Sequence, residues 1–291
     1  MGINIAVSGT EFDTSDGIRP LIAVARAARV TAVETWFPKN YTKDTVEGTH
    51  AALRAAKLEV ACVLTPSTLY GPGLTAGNEL LRQALDLAIE CGARRVNTYF
   101  GHALIVDDEH AIGTYAEQIA PLVAVAAERG VVIVLENEFD AFGWDPAGSD
   151  VTRRPNSLAR LVERLDSPAF QLNFDAANFH CAGVDPQAEA YPALREHIGY
   201  VHVKDIRSLA SPDAAPAAGW LRYTDHGRGY STVSLGSGEV PWKALLAELL
   251  ADGYDGFLTL EPHCERSRLE REVRDAADTL RALLAQMGVS A

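Results

Sequence analysis

The sequence predicts a (β/α)8 barrel, in which eight buried parallel strands alternate with helices and close into a cylinder. Three observations lead there. Short apolar runs alternate with amphipathic segments from one end of the chain to the other, eight of the runs have strand length, and four of them carry an acid or a histidine at the tip. The ends of barrel strands are where this architecture collects its functional groups. At 291 residues the chain is somewhat longer than the roughly 250 of a typical barrel, so one domain spanning 1–291 is expected.

The eight runs are Asn4–Ser8, Ala32–Phe37, Glu59–Leu64, Arg95–Phe100, Val131–Glu136, Phe170–Asp175, Tyr200–Val203 and Phe257–Glu261. Parallel strands covered on both faces read as such continuous apolar or β-branched stretches, without clean alternation. Between them, Pro20–Arg29, Asn78–Glu90 and Tyr115–Glu128 repeat apolar residues at i, i+3, i+4 and i+7, the spacing of one helix face. Gly92 and Gly130 stand where helices must end before the next strand. Ser157 and Pro241 fall at first-turn positions. A doubly wound open sheet would usually bring a glycine-rich phosphate loop after its first strand. Here that strand leads into Ser8-Gly-Thr-Glu-Phe-Asp13, which lacks the G-x-G-x-x-G spacing.

Two connections are long, 139–155 after the fifth strand and 206–240 after the seventh. Long aperiodic loops in a compact domain are usually functional or disordered. Both leave from the face where strands end, so they are read as lid and specificity elements. For the Ala- and Pro-rich stretch Ser211–Gly219 the alternative is a surface insertion.

Composition narrows the function classes. A net charge of −13 and a pI near 5.0 argue against a nucleic-acid partner, which needs a basic face to neutralise phosphates. The four cysteines make no Cys-x-x-Cys pair, so neither a zinc knuckle nor a disulfide scaffold is expected. The amino terminus MGINIAVSG lacks the pattern of a signal peptide. No apolar run reaches the roughly 18 residues of a membrane span. A cytoplasmic, soluble protein without a membrane partner is the expectation.

The chemistry lies at the strand tips. Glu136 closes VVIVLEN, Asp175 closes FQLNFD, His202 sits in YVHVKD and Glu261 closes GFLTLEP. Separated by helix-length segments, these four converge on the mouth of a barrel. Three carboxylates and one imidazole form a hard, mostly oxygen ligand set with open positions, suited to Mn²⁺ first and to Mg²⁺ or Co²⁺ next. A substrate binding through a carbonyl and a neighbouring hydroxyl would fill the open positions, and the metal would stabilise the enediolate left when an adjacent C–H loses its proton.

The runs LEN at 135–137, NFDAANFH at 173–180, YVHVKD at 200–205, GSGEVPW at 236–242 and GYDGFLTLEP at 253–262 resemble the sugar phosphate isomerase/epimerase superfamily. This is the xylose isomerase-like barrel group of ketose 3-epimerases, hydroxypyruvate isomerase and inosose dehydratase. The resemblance covers essentially the whole chain. It implies Glu136, Asp175, His202 and Glu261 as the metal ligands, the set the strand tips also indicate. It further implies Glu136 and Glu261 as the pair that exchanges protons with a sugar or sugar-derived substrate from opposite sides. Return of the proton to the same carbon is epimerisation, and return to its neighbour is isomerisation. A lyase on the same scaffold, an inosose-type dehydratase or an enzyme cleaving an oxidised (3-oxo) glycoside, begins with the same proton abstraction. Relatives commonly form dimers or tetramers, so a homo-oligomer is expected.

Substrate contacts form a second group. Lys204, two residues beyond His202, shares its strand face, and Glu138 stands likewise beyond Glu136. Asn178 occupies a position where many relatives carry histidine, a departure from the pattern, with His180 two residues further on. His102 after the fourth strand, Trp36 at the second strand tip and Arg207 beyond YVHVKD complete the candidates. His226 and Tyr230 would join them if the 206–240 connection closes, and His263 and Cys264 lie beside Glu261 without an assigned role.

Overall fold

The structure, a computed structural model, describes residues 2–12, 16–71, 74–103, 107–140 and 148–289. In chain order its elements are β1 (Asn4–Ser8), α1 (Arg19–Ala27), β2 (Ala32–Trp36), α2 (Val46–Ala55), β3 (Glu59–Thr68), α3 (Leu74–Cys91), β4 (Arg95–Tyr99), α4 (Asp108–Arg129), β5 (Val132–Glu136), α5 (Pro155–Leu165), β6 (Phe170–Asp175), α6 (Ala176–Ala182), α7 (Tyr191–Leu194), β7 (Ile198–Val203), β8 (Asp205–Ser208), β9 (Arg222–Asp225), β10 (Arg228–Val233), α8 (Trp242–Ala251), β11 (Phe257–Leu260) and α9 (Arg266–Gln286). Eight parallel strands close in the order β1-β11-β7-β6-β5-β4-β3-β2. All eight expected runs are barrel strands. The third extends to Thr68, beyond the expected Leu64.

Alternation along each strand divides the interior into layers. Phe257, Tyr200, Val134, Ala6, Ala32 and Cys62 fill the barrel as a small apolar cluster of their own. Above it runs a polar layer: Asn173 Nδ2 donates to Asn97 Oδ1 (2.9 Å), and Thr259 Oγ1 donates to the Tyr200 hydroxyl (2.6 Å). The outward residues of the same strands, such as Leu172, Phe174, Val201 and Leu258, pack under the helices in the main core. Helix α3 lies so close to β3 that a Cβ at Gly77 would come 2.0 Å from the Thr68 carbonyl oxygen. Gly130, at φ +67°, ends α4 in the left-handed conformation.

The 206–240 connection is more regular than the aperiodic loop expected. It holds a three-stranded antiparallel sheet in the order β8-β10-β9. Its strands are polar (RYTD, RGYSTV) and show no helical or core pattern, so they read as loop. The β9–β10 turn uses positive φ at both central residues, His226 (+43°) and Gly227 (+79°), the conformation a two-residue hairpin with strand-matching twist demands. In the other long connection, 141–147 lie outside the described residues, and Val151–Arg153 forms a short 3-10 turn before α5. Among the described residues, no helix is long and apolar enough to cross a membrane.

Candidate metal centre

Glu136 ends β5, Asp175 ends β6, His202 lies next to last in β7, and Glu261 follows β11 directly. The register sets Asp175 opposite His202 and Thr259 opposite His202. Tips from four strands therefore meet at one level. One ligand atom from each lies within 4.8 Å of the others, and all four residues are buried. Their partners hold them in place. The Asn137 side chain receives the Asp175 N–H on Oδ1 (2.8 Å) and donates Nδ2 to the Asp175 carbonyl (2.9 Å). Asp175 Oδ1 caps α6 by accepting from Asn178 N (2.9 Å), and Asn97 Nδ2 donates to Glu136 Oε2 (3.2 Å).

A further acid, Glu34, stands beside the cluster without having been among the sequence candidates. It is fully buried in β2. Oε1 accepts from Ser8 Oγ (2.7 Å), and Oε2 lies 3.1 Å from His202 Nε2. On the other side of the ring, Nδ1 lies 3.1 Å from Glu136 Oε1 and 3.5 Å from Glu261 Oε2. A carboxylate on Nε2 keeps a proton there and leaves Nδ1 as the nitrogen that a cation between the acids would take, the usual support for a metal-ligating histidine. An acid inside the strand AVETW was the available signal.

The acids do not stand uncompensated. Lys204 Nζ sits 2.8 Å from Asp175 Oδ2 and 2.9 Å from Glu261 Oε2. Burial alone would push this amine down, but Asp175, Glu261, Glu136 and Glu138 hold it well above its ordinary value. Glu261 is the converse case. Burial works to raise it, while Lys204, His202 and His263 keep it well below the usual carboxylate range. Burial also opposes charge on His202, but Glu136, Glu34 and Glu261 hold it well above the imidazole range. Glu138 is pushed well up by burial and then by the Glu136 charge. His263, given no role from sequence, places Nε2 3.0 Å from Glu261 Oε2 and Nδ1 3.2 Å from Glu11 Oε1.

Part of this cluster lines a cavity of about 540 Å³ at the C-terminal mouth of the barrel, while Asp175, His202 and Glu34 lie buried behind it. Its lining takes Glu136, Lys204 and Glu261 together with Trp36, Tyr99, His102, Glu138 and Asn178, and Tyr223 from the small sheet. His102 Nδ1 is 3.4 Å from Asp140 Oδ1. Asn178 Nδ2 donates to the Asn137 carbonyl (2.8 Å) and lies 3.4 Å from Glu136 Oε1.

Other sequence candidates lie outside this lining. His180 follows Asn178 by two helical residues, about 200° around the axis. It faces outward onto Glu239 (3.0 Å) and Tyr230, with ring centroids 5.9 Å apart. Arg207 alternates away from Ile206, which does line the cavity, and its Nη2 donates to the Ser237 carbonyl. His226 pairs with Asp140 (2.7 Å). Asp205, in the YVHVKD run, has a structural role. Its carboxylate accepts from the N–H groups of Gly236 (2.9 Å) and Gly238 (3.0 Å), which explains the G-S-G that follows the small sheet.

Residues 22–283 match the family described as xylose isomerase-like TIM barrel. Among curated proteins, the chain is 26% identical over 191 residues to an uncharacterized Escherichia coli protein, covering 66% of this chain and 48% of that one. It is 27% identical over 200 residues to a 3-dehydroshikimate dehydratase of Pseudomonas putida, covering 68% and 27%. It thus spans about half, or about a quarter, of the length of those relatives. Among solved structures, a xylose isomerase domain protein from Planctomyces limnophilus superposes with a TM-score of 0.78 at 19% identity, covering 99% of each chain. An L-ribulose 3-epimerase does so with 0.72 at 16%, covering 98% of this chain and 95% of that one.

Proposed function

Because the chain belongs to the xylose isomerase-like TIM barrel family, we propose that it is a divalent-cation-dependent isomerase or epimerase of a sugar or sugar-derived small molecule. The observation that carries this reading is the convergence of Glu136, Asp175, His202 and Glu261 within 4.8 Å, with Glu136 and Glu261 also lining a substrate-sized cavity. The donor set fits a hard cation. Opposite ligands of an ion with bonds of about 2.1 Å stand roughly 4.2 Å apart, close to the observed spread. Asp175 Oδ2 is moreover a buried oxygen that accepts no well-aligned hydrogen bond. Manganese is the first expectation for such a set, with magnesium and cobalt next. The cation, when bound, supplies the polarisation of a substrate carbonyl that acidifies the neighbouring C–H.

The chain's own residues then divide the work. Glu261, held ionised by Lys204 and His263, takes the proton. Glu136, across the His202 ring nitrogen, returns one to the opposite face of the same carbon or to its neighbour. Lys204 and Asn178 meet substrate oxygens, and Trp36 and Tyr99 cover the ring faces and exclude water. A lyase is the second reading, and the dehydratase relative favours it. In that reaction the same proton leaves, the C–O bond one carbon further breaks, and the departing oxygen takes a proton. Glu138 faces the cavity and makes no side-chain hydrogen bond to any of the described residues, so its carboxyl is free to supply that proton.

The test is α-proton exchange. Metal-loaded protein is incubated in D₂O with ketoses, aldoses, inososes and 3-oxo-glycosides and followed by NMR. Deuterium in a product of unchanged formula supports the isomerase or epimerase, and loss of water or of an aglycone supports the lyase. Glu261→Gln is expected to stop exchange in either case. Undiminished exchange in that variant removes Glu261 as the base.

A further inference from the structure

Among the described residues, one cation of the cavity lining has no carboxylate partner. Lys204 is taken up by Asp175 and Glu261, His102 by Asp140, and His263 by Glu261 and Glu11. Lys39 lines the same cavity, and among the described residues no carboxylate lies within ion-pair distance of it. Its Nζ donates to the Thr10 carbonyl oxygen (2.5 Å) and stands 5.4 Å above the Trp36 ring. Neither partner cancels its charge, although the chain carries 39 acidic and 26 basic residues. With so many carboxylates available, a half-buried amine in the lining that pairs with none is left for an anion from solution.

The turn that carries Lys39 is built rather than loose. Asn40, fully buried, accepts the Trp36 N–H on Oδ1 (2.7 Å). Gly9 packs so tightly beneath it that a Cβ there would come 2.3 Å from Asn40 Oδ1. Tyr41 donates its hydroxyl to Thr35 Oγ1 (3.0 Å). The turn follows β2 directly, so the amine is presented on the same barrel face as the ligand cluster. Thr10 links the two: its carbonyl holds Lys39, and its Oγ1 donates to Glu261 Oε1 (3.1 Å). Two hydrogen bonds and one residue's width set the ammonium no more than about 10 Å from the Glu261 carboxylate. Five- and six-carbon chains have that reach.

We infer that Lys39 forms an anion subsite, so that the substrate carries a carboxylate or phosphate at the end remote from its reacting carbonyl. This inference rests on the proposed chemistry for the position of the reacting end, and on Lys39 alone for the anion. The substrate class is then an acidic sugar derivative, and neutral sugars bind weakly. Lysine serves either anion as a point charge.

Calorimetric titration of manganese-loaded protein with D-fructose, 5-keto-D-gluconate and D-fructose 6-phosphate compares a neutral ketose with a carboxylate and a phosphate. The same ligands are followed for α-proton exchange in D₂O. One anionic ketose is expected to bind at least about tenfold more tightly than fructose, and which one identifies the anion. Lys39→Met is expected to remove most of that preference, about tenfold or more, as loss of a charge-assisted contact does. Lys39→Arg should keep it. Circular dichroism and manganese stoichiometry verify that each variant is folded and loaded. The subsite is refuted if neither anion outbinds fructose, or if Lys39→Met weakens all three ligands alike. Lys39-dependent binding without exchange in any of them leaves the subsite standing and sinks the proton-transfer reading instead.

Discussion

Replacing Glu34 with glutamine keeps the shape of the side chain and removes its charge where both oxygens are engaged. Oε1 accepts from Ser8 Oγ (2.7 Å) and Oε2 faces His202 Nε2 (3.1 Å), with no solvent access to either Glu34 or His202. The amide holds the Nε2 proton less strongly, so His202 loses the bias that presents Nδ1 to a cation between Glu136 and Glu261. A hydrogen bond to a charged group contributes about 1.5–3 kcal/mol. Loss of an outer partner of a ligating histidine typically weakens metal binding about 10–100-fold, or about 1.4–2.8 kcal/mol. The two estimates coincide. The assay is manganese titration at neutral pH, by calorimetry or by loss of the free-ion resonance signal. The dissociation constant is expected to rise by one to two orders of magnitude while stoichiometry stays at one. An unchanged constant in a folded Glu34→Gln protein would show that Glu34 does not orient His202.

Asp175→Ala and His202→Ala are each expected to abolish manganese binding in a folded barrel, and stoichiometric metal in either variant would refute the ligand set. Arg153 bridges Asp140 and the fully buried Asp225, tying the segment after β5 to the small sheet. Arg153→Ala should therefore cost about 1.5–3 kcal/mol, as loss of a charge-assisted contact does when Arg228 still pairs with Asp225 (2.8 Å), and urea unfolding measures it. Asp150 is pushed up to about 6 by burial. Its folded value lies above its unfolded one, so its contribution favours folding at low pH and is lost as pH rises from about 4 through 6. Relative to Asp150→Asn, which retains an acceptor for Thr152, the wild type should lose up to about 3 kcal/mol between pH 4 and 7. Parallel stability curves for the two proteins would show that burial does not raise Asp150.

What the chain shows residue by residue follows from short-range pattern. A parallel barrel ends all its strands on one face, so acids at the tips of VIVLE and FQLNFD, the histidine of IGYVHV and Glu261 beyond FLTL meet once the fold is known. Both the fold class and the position of the acidic cluster were therefore legible before any coordinates. Glu34 was not. It contacts a histidine 168 positions away, and its one local mark is its place inside the strand AVETW. The β8–β10 sheet was hidden because its strands are short and polar, and their order comes from pairing with one another and with Asp205. His180 and Arg207 read as inward because they neighbour inward residues, but helical rotation and strand alternation turn them out. Thr10 reaches Glu261 across 251 positions and fixes Lys39 within the same cavity. Periodicity is a property of neighbours along the chain, and it determined the barrel and its reactive rim. Orientation, charge compensation and the surroundings of Lys39 are properties of neighbours in space, and only closure of the barrel decided them.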